Sequence, residues 1–246
     1  MAKARKLKAK TAKTKAKRRF WPFGWLIWLF ELAALVFVLF HLYALVLILV
    51  PPPATILMAQ RAIEGETVQR DWVPLERISP NLVHAVIAAE DSRFCQHSGI
   101  DFTAIEQAID ERQRGRKLRG ASTITQQTAK NVFFWNGGGF VRKGGEAWMS
   151  LLIDGVWGKR RVMEVYLNVA EWGDGIFGAE AAAQARFGKS ASELTTREAA
   201  LLAAVLPNPN EWRVDPPGNY VSGRAGTLQA RMRDVAGSGL AACVLN

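Results

Sequence analysis

Residues Trp25 to Val50 form an apolar run that only Glu31 and His41 interrupt. The run has 26 residues, whereas a helix crosses a bilayer with about 20. Pro51-Pro52-Pro53 follow it and offer no small-residue cleavage site of the kind that ends a secretory signal peptide. The sequence therefore predicts a transmembrane helix at residues 23–50 that stays as an anchor. Because a carboxylate is costly in lipid, we expect Glu31 near the headgroups rather than in an intramembrane function.

The net charge of +10 belongs to the segment before this helix. Of the 32 Lys and Arg residues, ten lie within residues 1–19, which hold no acid, so the other 22 balance the 22 Asp and Glu. A basic tail alone suits nucleic acid or anionic lipid, and the apolar helix behind it favours lipid. We therefore expect membrane lipids and no nucleic acid as partners. Basic residues concentrate on the inner side of membranes, so residues 1–22 are predicted to be a cytoplasmic tail and residues 51–246 to lie outside.

The outer part is predicted to be a connector at residues 51–78, with one short strand at Glu66–Val73, and a mainly α domain at residues 79–246. Ser79-Pro80 is a helix start, with a capping hydroxyl before a proline, and the helix ends at Glu90. Three further helices are predicted with capping signals: Thr103–Arg114 after a capping Asp101, a helix that starts at the Thr123/Gln126 capping box, and Arg197–Leu206 after the Thr195/Glu198 capping box. Four more are predicted at Ala147–Trp157, Lys159–Ala170, Glu180–Phe187 and Ser222–Val235.

Glu90 and Glu146 bracket the densest polar segment of this domain, Gly120–Asn131. Small hydroxyls, amides and a cation are poor core material, because each buried polar group needs a partner. Glu90 ends a buried helix, and partial burial raises the pKa of a carboxyl group, as a general base requires. The capping box places Gln127, Lys130 and Asn131 on the first turns of a helix whose positive end faces the site. The pattern predicts an acid/base site beside an anion-binding surface.

Three features leave alternatives open. Five cations between Arg112 and Arg119 form either a solvated face or a phosphate or headgroup contact. The aromatic and glycine-rich segment Phe133–Phe140 favours membrane contact over core packing. An oxidising compartment would permit a disulfide between Cys95 and Cys243, but two cysteines so far apart in sequence make no disulfide framework, so we interpret Cys95 as a small filler residue.

Two kinds of catalytic motif are missing. Gly188-Lys189-Ser190 imitates the end of a phosphate-binding loop, but Ala183 stands where that motif needs glycine. Neither Gly-x-Ser-x-Gly nor Ser-x-x-Lys occurs. These absences argue against a nucleotide site and a serine nucleophile.

Five motifs in order resemble one known family. They are Glu90-Asp91-x-x-Phe94-x-x-His97-x-Gly99, Gly120-x-Ser122-Thr123-Ile124-Thr125-Gln126-Gln127 with Lys130-Asn131, Arg142-Lys143-x-x-Glu146, Lys159 to Asn168, and Arg197 to Ala203 with Pro207-Asn208-Pro209. The chain resembles the peptidoglycan glycosyltransferases that class A penicillin-binding proteins share, over about residues 80–215. No penicillin-binding half follows, so we expect a monofunctional member.

The resemblance implies a lysozyme-like, mostly helical fold that polymerises lipid II into β-1,4-linked glycan strands. It implies that Glu90 takes the proton from the acceptor 4-hydroxyl, which displaces a polyprenyl diphosphate with inversion. Lys130, Arg142 and Lys143 would counter the phosphate charge. Ser122, Thr123, Gln126, Gln127 and Asn131 would position sugar and phosphate.

The resemblance leaves the role of Glu146 open between a ligand of a divalent metal (Mg²⁺ or Mn²⁺) at the diphosphate and a carboxylate that orients the cations. No cofactor is required by it. Expected partners are lipid II, the nascent glycan strand and membrane lipids, with proteins of the division or elongation machinery left open. The implied location is the bacterial cytoplasmic (inner) membrane, with a single pass and a periplasmic domain. Many relatives carry arginine where this chain has Gly138, which puts one phosphate contact in doubt.

Two other classes of function compete with this one. A lytic enzyme of related fold would cut the same glycan with a glutamate acting as an acid. A membrane-tethered binding module, with the basic tail as its working part, would not need Glu90 at all.

Overall fold

The computed structural model describes residues 24–115, 120–135 and 137–246. The predicted basic tail and Arg116, Lys117 and Arg119 of the predicted basic cluster lie outside the described residues. The chain divides into two compact units, Met1–Tyr43 and Ala44–Asn246.

The first unit contains most of α1, an uninterrupted helix at Gly24–Val46. Apart from Glu31 and His41 its side chains are mostly apolar, and they are largely exposed, with Trp28 and Phe30 each 75% accessible. Such a surface is unfavourable in water and suits lipid. Within the described residues, α1 is the one helix long and apolar enough to cross a membrane, and this is compatible with a single-pass anchor. The helix ends at Val46, four residues before the predicted end.

The second unit is mainly helical, as predicted. Its helices are α2 (Ile56–Ile63), α3 (Pro80–Glu90), α4 (Phe102–Gln113), α5 (Ile124–Phe133), α6 (Gly139–Val169), α7 (Ala179–Phe187), α8 (Thr196–Val205), α9 (Asn219–Gly237) and α10 (Ala242–Leu245). Short 3₁₀ turns lie at Leu75–Arg77, Phe94–Gln96 and Ala191–Glu193. The predicted connector therefore contains α2, a strand and a 3₁₀ turn.

A small three-stranded sheet lies beside the helices in the order β1 (Gln69–Arg70), β3 (Ile176–Phe177), β2 (Glu171–Gly173). β1 is parallel to β3, with Gln69 opposite Ile176, and β2 is antiparallel to β3. The strand predicted at Glu66–Val73 is confirmed only for its two central residues.

The core around α3 explains why that helix forms and where it ends. Ser79 caps it by accepting a hydrogen bond from the amide of Asn81, and Pro80 occupies the first helical position, as predicted. Leu82, Val83 and Ile87 are fully buried against α8 and α9, and each such side chain contributes about 1.5–3 kcal/mol to folding. The last residue of the helix, Glu90, reaches the protein surface.

Helix α6 is longer than predicted. It packs along α5 and begins at Gly139, whereas the sequence predicted a start at Ala147. Gly144 and Gly145 have weak helix propensity and hid the first two turns. A break at Gly158, with φ 71° and ψ 165°, separates the two helical stretches that the sequence predicted as separate helices.

The aromatic and glycine-rich segment divides between core and surface. Phe133 is buried, and its ring lies 6.1 Å from that of Trp157, so core packing applies there. Trp135 is half exposed, and Phe140 is 97% exposed at the start of α6.

The interpretation of Cys95 as a filler residue is wrong. Cys95 forms a disulfide with Cys243, across 148 residues of sequence. The bond joins the 3₁₀ turn after Glu90 to α10, because the fold brings the two Cα atoms to 5.7 Å. Sequence spacing contains no information about such a long-range approach.

Candidate active site

Glu90 lies at the junction of two clefts. One is lined by Asp91, Arg93, Asp101, Gln107 and Ser122, among others, and the second by Ser122, Gln127, Pro207, Arg224 and Arg231, among others. Burial raises the pKa of the Glu90 carboxyl group above its ordinary value, in the predicted direction. A hydrogen bond from Gln127 and the charge of Arg224 oppose this rise, and the charge of Asp91 adds to it. The result is a carboxylate of increased basicity that solvent and substrate can reach.

One side chain contacts this carboxylate directly, and a second orients the first. Nε2 of Gln127, on the first turn of α5, donates to Oε2 of Glu90 over 2.8 Å. The hydroxyl of Tyr166 donates to Oε1 of Gln127 over 3.2 Å. Burial raises the pKa of Tyr166 well above its ordinary value, and the charges of Glu90 and Asp91 add to the rise, so the hydroxyl keeps its proton. The Tyr166 hydroxyl thereby fixes which end of the Gln127 amide faces Glu90.

Asp91 ties the end of α3 to the start of α5. Its carboxylate accepts hydrogen bonds from Nε2 of His97, at 3.0 and 3.1 Å to its two oxygens, and from the backbone amide of Ile124. A negative charge at the N-terminus of α5 is favourable for the helix dipole. This clamp sets the position of Gln127 relative to Glu90.

Gly99 ends the same motif for a steric reason. Its φ is +77°, and a Cβ atom there would lie 2.7 Å from the carbonyl oxygen of Ser150 on α6. Its carbonyl oxygen accepts a hydrogen bond of 2.6 Å from Thr123 Oγ1. The absence of a side chain at Gly99 therefore lets the loop after Glu90 pack directly against the α6 backbone at Ser150, one turn after Glu146.

Glu146 pairs with two members of a cationic cluster that we define as Lys130, Arg142, Lys143 and Glu146. The Glu146 side chain is 1% exposed and pairs with Arg142 and with Nζ of Lys143, the latter at 3.1 Å. These are i,i+4 and i,i+3 contacts on the first turns of α6. Burial lowers the pKa of Lys130, and the charge of Arg142 lowers it further, against an opposing effect of Glu171. Burial, Arg142 and Lys130 lower the pKa of Lys143. Three cations held this close together attract an anion.

Ser122 connects the cluster to Glu90. Its hydroxyl oxygen accepts a hydrogen bond of 3.4 Å from Nζ of Lys143, and the same residue lines both clefts next to Glu90. Lys143 of the cluster therefore lies beside a residue that lines both clefts of Glu90.

The other predicted site residues occupy three kinds of position. Thr123 and Gln126 form the predicted capping box and are buried, with Gln126 Oε1 accepting from the Thr123 amide at 3.0 Å. Thr123 also lines the first cleft through its remaining surface. Asn131 is half-buried on α5, one residue after Lys130.

Two kinds of residue were missed by sequence reasoning. Tyr166 lies inside a motif, and its signal was a hydroxyl on an otherwise apolar helix face, which needs a partner when buried. Arg224 and Arg231 lie outside the resemblance, on α9, and only the packing of α9 against α3 brings them to the cleft of Glu90. No local pattern marks them.

Glu146 does not fit a metal ligand, because it is buried and its carboxylate is shared between Arg142 and Lys143. Among the described residues, Asp91, His97 and Asp101 are the group whose ligand atoms lie within 4.8 Å of one another. Both carboxylates already serve the fold: Asp91 accepts from His97 and Ile124, and Asp101 caps α4 through the Ala104 amide.

The sequence matches known proteins over most of its length. The family model described as Transglycosylase matches residues 57–233. The chain belongs to this family. It is 57% identical over 198 residues to the biosynthetic peptidoglycan transglycosylase of Rhodospirillum centenum, covering 80% of this chain and 86% of that protein. It is 52% identical over 195 residues to the protein of that name from Caulobacter vibrioides, covering 79% of this chain and 85% of that protein. The protein of that name from Stutzerimonas stutzeri is 48% identical over 219 residues, covering 87% and 88%.

Gly138, where the family resemblance leads us to expect arginine, is the residue before α6. Gly138 has φ +85°, and a Cβ there would lie 3.0 Å from Cβ of Arg142. An arginine at this position needs a different backbone at the start of α6.

Proposed function

We propose that this transglycosylase polymerises lipid II into β-1,4-linked peptidoglycan strands and releases polyprenyl diphosphate. The observation that supports the proposal is the hydrogen bond from Lys143 of the cationic cluster to Ser122, a residue that lines the clefts of Glu90. A diphosphate leaves without being protonated, so the reaction needs a base for the acceptor and cations for the leaving group.

In the proposed reaction, Glu90 takes the proton from the 4-hydroxyl of the acceptor sugar as its oxygen forms a bond to the anomeric carbon of the donor. The bond from that carbon to the diphosphate oxygen breaks, and the configuration inverts in this single displacement. Lys130, Arg142 and Lys143 stabilise the growing phosphate charge, which is larger in the transition state than in the bound substrate. Glu146 keeps two of these cations in position.

A bound divalent ion would supply further neutralisation of the diphosphate. Glu146 is not its ligand in this proposal, because both partners of that carboxylate are cations. Asp91 and His97 serve as the clamp between α3 and α5.

The proposed location is the outer face of the cytoplasmic membrane, with the basic tail inside and the enzyme domain in the periplasm. The Cys95–Cys243 disulfide supports this orientation, since disulfides persist in oxidising compartments. The exposed apolar side chains Phe140, Val141 and Trp148, all on α6, support contact with lipid. A substrate with a polyprenyl tail stays at the same surface.

The test incubates the full-length, detergent-solubilised protein with lipid II and separates glycan polymer from monomer. Glu90→Gln is expected to lower the initial rate by about 10²- to 10⁴-fold, the usual contribution of a general base. Glu106→Gln is the matched control, because Glu106 is exposed on α4 and lines neither cleft. An unaffected Glu90→Gln variant would overturn the proposal.

The same preparations should be incubated with purified sacculi. Release of soluble fragments, without polymer from lipid II, would identify a lytic enzyme instead. The cationic cluster argues against that outcome. In a lytic reaction the leaving group is a hydroxyl oxygen of a sugar, which needs a proton donor rather than cations.

A further inference from the structure

Helix α9 contributes two arginines to the second cleft of Glu90. This cleft has a volume of about 550 Å³ and is lined by Ala89, Glu90, Gly120, Ser122, Gln127, Pro207, Arg224 and Arg231. The cationic cluster contributes no residue to that lining. The arginines of α9 are therefore a second set of positive charges beside Glu90.

Arg224 has the character of a ligand-binding side chain. It is half-buried, its Nε atom is buried, and it makes no hydrogen bond or ion pair with the described part of the chain. Its charge acts on the carboxylate of Glu90. A partly desolvated guanidinium without a partner has unused donors for an incoming polar or anionic group.

Arg231 extends this positive surface along the helix. It is exposed, and it lies seven residues after Arg224, so the two residues share a helix face about 10 Å apart. Two linked hexose rings span a similar length. Helix α9 thus places one cation near the reacting carboxylate and a second about one disaccharide away.

The proposed reaction makes this spacing meaningful, because both of its substrates carry a diphosphate. The donor diphosphate needs the cationic cluster at the moment of transfer. The acceptor presents its 4-hydroxyl to Glu90, and its own diphosphate lies at the far end of its disaccharide.

We propose that Arg224 and Arg231 form the acceptor subsite, with Arg224 beside the sugar that carries the attacking hydroxyl and Arg231 on the acceptor diphosphate. A guanidinium suits this role, because its planar donors bind phosphate oxygens in pairs. The inference rests on the proposed function.

The experiment separates the two substrates. A lipid-linked disaccharide whose 4-hydroxyl is blocked can act only as a donor. Its concentration is held at saturation while the concentration of lipid II, the acceptor, is varied. The initial rate of the coupled product gives the acceptor KM, and the reverse titration gives the donor KM. Arg231→Met is expected to raise the acceptor KM about tenfold, with kcat and the donor KM within twofold of the wild type. Arg231→Lys retains the charge and is expected to recover part of the affinity.

Arg233→Met is the matched control, since Arg233 is exposed on the same helix and does not line the cleft. Its two KM values should equal those of the wild type. Arg224→Met should also raise the acceptor KM and leave the donor KM unchanged.

Three results would overturn the assignment. The first is an unchanged acceptor KM in Arg231→Met, and the second is a raised donor KM. The third is a defect that disappears with an acceptor whose peptide carboxylates are amidated, because this would place Arg231 on the stem peptide rather than the diphosphate. A wild-type protein that makes no polymer would instead refute the proposed function.

Discussion

The side-chain amide of Gln127 donates a hydrogen bond of 2.8 Å to the carboxylate of Glu90. The two residues come from different helices, α5 and α3, and the contact exists because Asp91 joins the end of one helix to the start of the other. The hydrogen bond stabilises the ionised form of Glu90, and burial destabilises it. The balance leaves the pKa raised, so the enzyme has a general base that is stronger than an ordinary glutamate.

This balance predicts the pH dependence of the rate. A base acts only when it is deprotonated, so activity falls as the pH decreases through the raised pKa of Glu90. In Gln127→Met the ionised form loses a hydrogen bond, the pKa rises further, and the acid limb of kcat/KM should move to higher pH. Gln113→Met, at the exposed end of α4, should leave the limb in place. The measurement is the initial polymerisation rate over a pH series, and an acid limb at the same pH in Gln127→Met would contradict the account.

Tyr166 should act through Gln127. In Tyr166→Phe the amide of Gln127 loses its orienting donor, and we expect polymerisation to slow about three- to tenfold, as for one lost neutral hydrogen bond. The acid limb should move in the same direction as in Gln127→Met. Tyr220→Phe is the control, because Tyr220 is exposed at the start of α9. If Tyr166→Phe lowered thermal stability but left both the rate and the acid limb unchanged, the hydroxyl would have only a structural role.

Local signals in the sequence predicted much of the scaffold. Ser79-Pro80 and the capping boxes of Thr123 and Thr195 are short-range patterns, and each one starts a helix in the structure. A helix that buries most of its side chains also fixes the environment of its last residue. The raised pKa of Glu90 was therefore predictable before its neighbours were known.

Long-range contacts were not predictable in this way. Arg224 reaches Glu90, and Cys243 reaches Cys95, only after α9 and α10 have packed, and nothing near either residue in sequence marks its partner. The sequence left the pairing of Glu146 with the neighbouring cations as one of two alternatives, for a local reason. Two glycines weakened the predicted helix over the turns where i,i+3 and i,i+4 spacing would have shown it.

The shared ion pairs of Glu146 make its role distinguishable from metal binding. Glu146→Gln leaves Arg142 and Lys143 without their buried counter-charge, and this destabilises the fold mainly through Arg142, which is less exposed than Lys143. We expect a lower melting temperature and a large loss of polymerisation. Binding of Mn²⁺, measured by electron paramagnetic resonance on the wild type and on Glu146→Gln, should be the same. Loss of Mn²⁺ binding in the variant would make Glu146 a metal ligand after all.

The Cys95–Cys243 disulfide should stabilise the fold, because it joins two segments that are far apart in sequence. A bridge that closes a loop of 148 residues removes many conformations of the unfolded chain, and native disulfides typically contribute about 2–5 kcal/mol. Reduction, or Cys95→Ser with Cys243→Ser, should therefore lower the melting temperature of the detergent-solubilised protein. The double variant is also the control, because added reductant should have no further effect on it.

The bridge also attaches α10 to the turn that follows Glu90 and Asp91. Without the bridge, polymerisation activity should therefore be lost at a lower temperature, in parallel with unfolding. A reduced protein with unchanged melting behaviour would mean that the packing of α10 alone, including the hydrogen bond of 2.5 Å from Arg160 to the Val244 carbonyl oxygen, is sufficient to hold that turn.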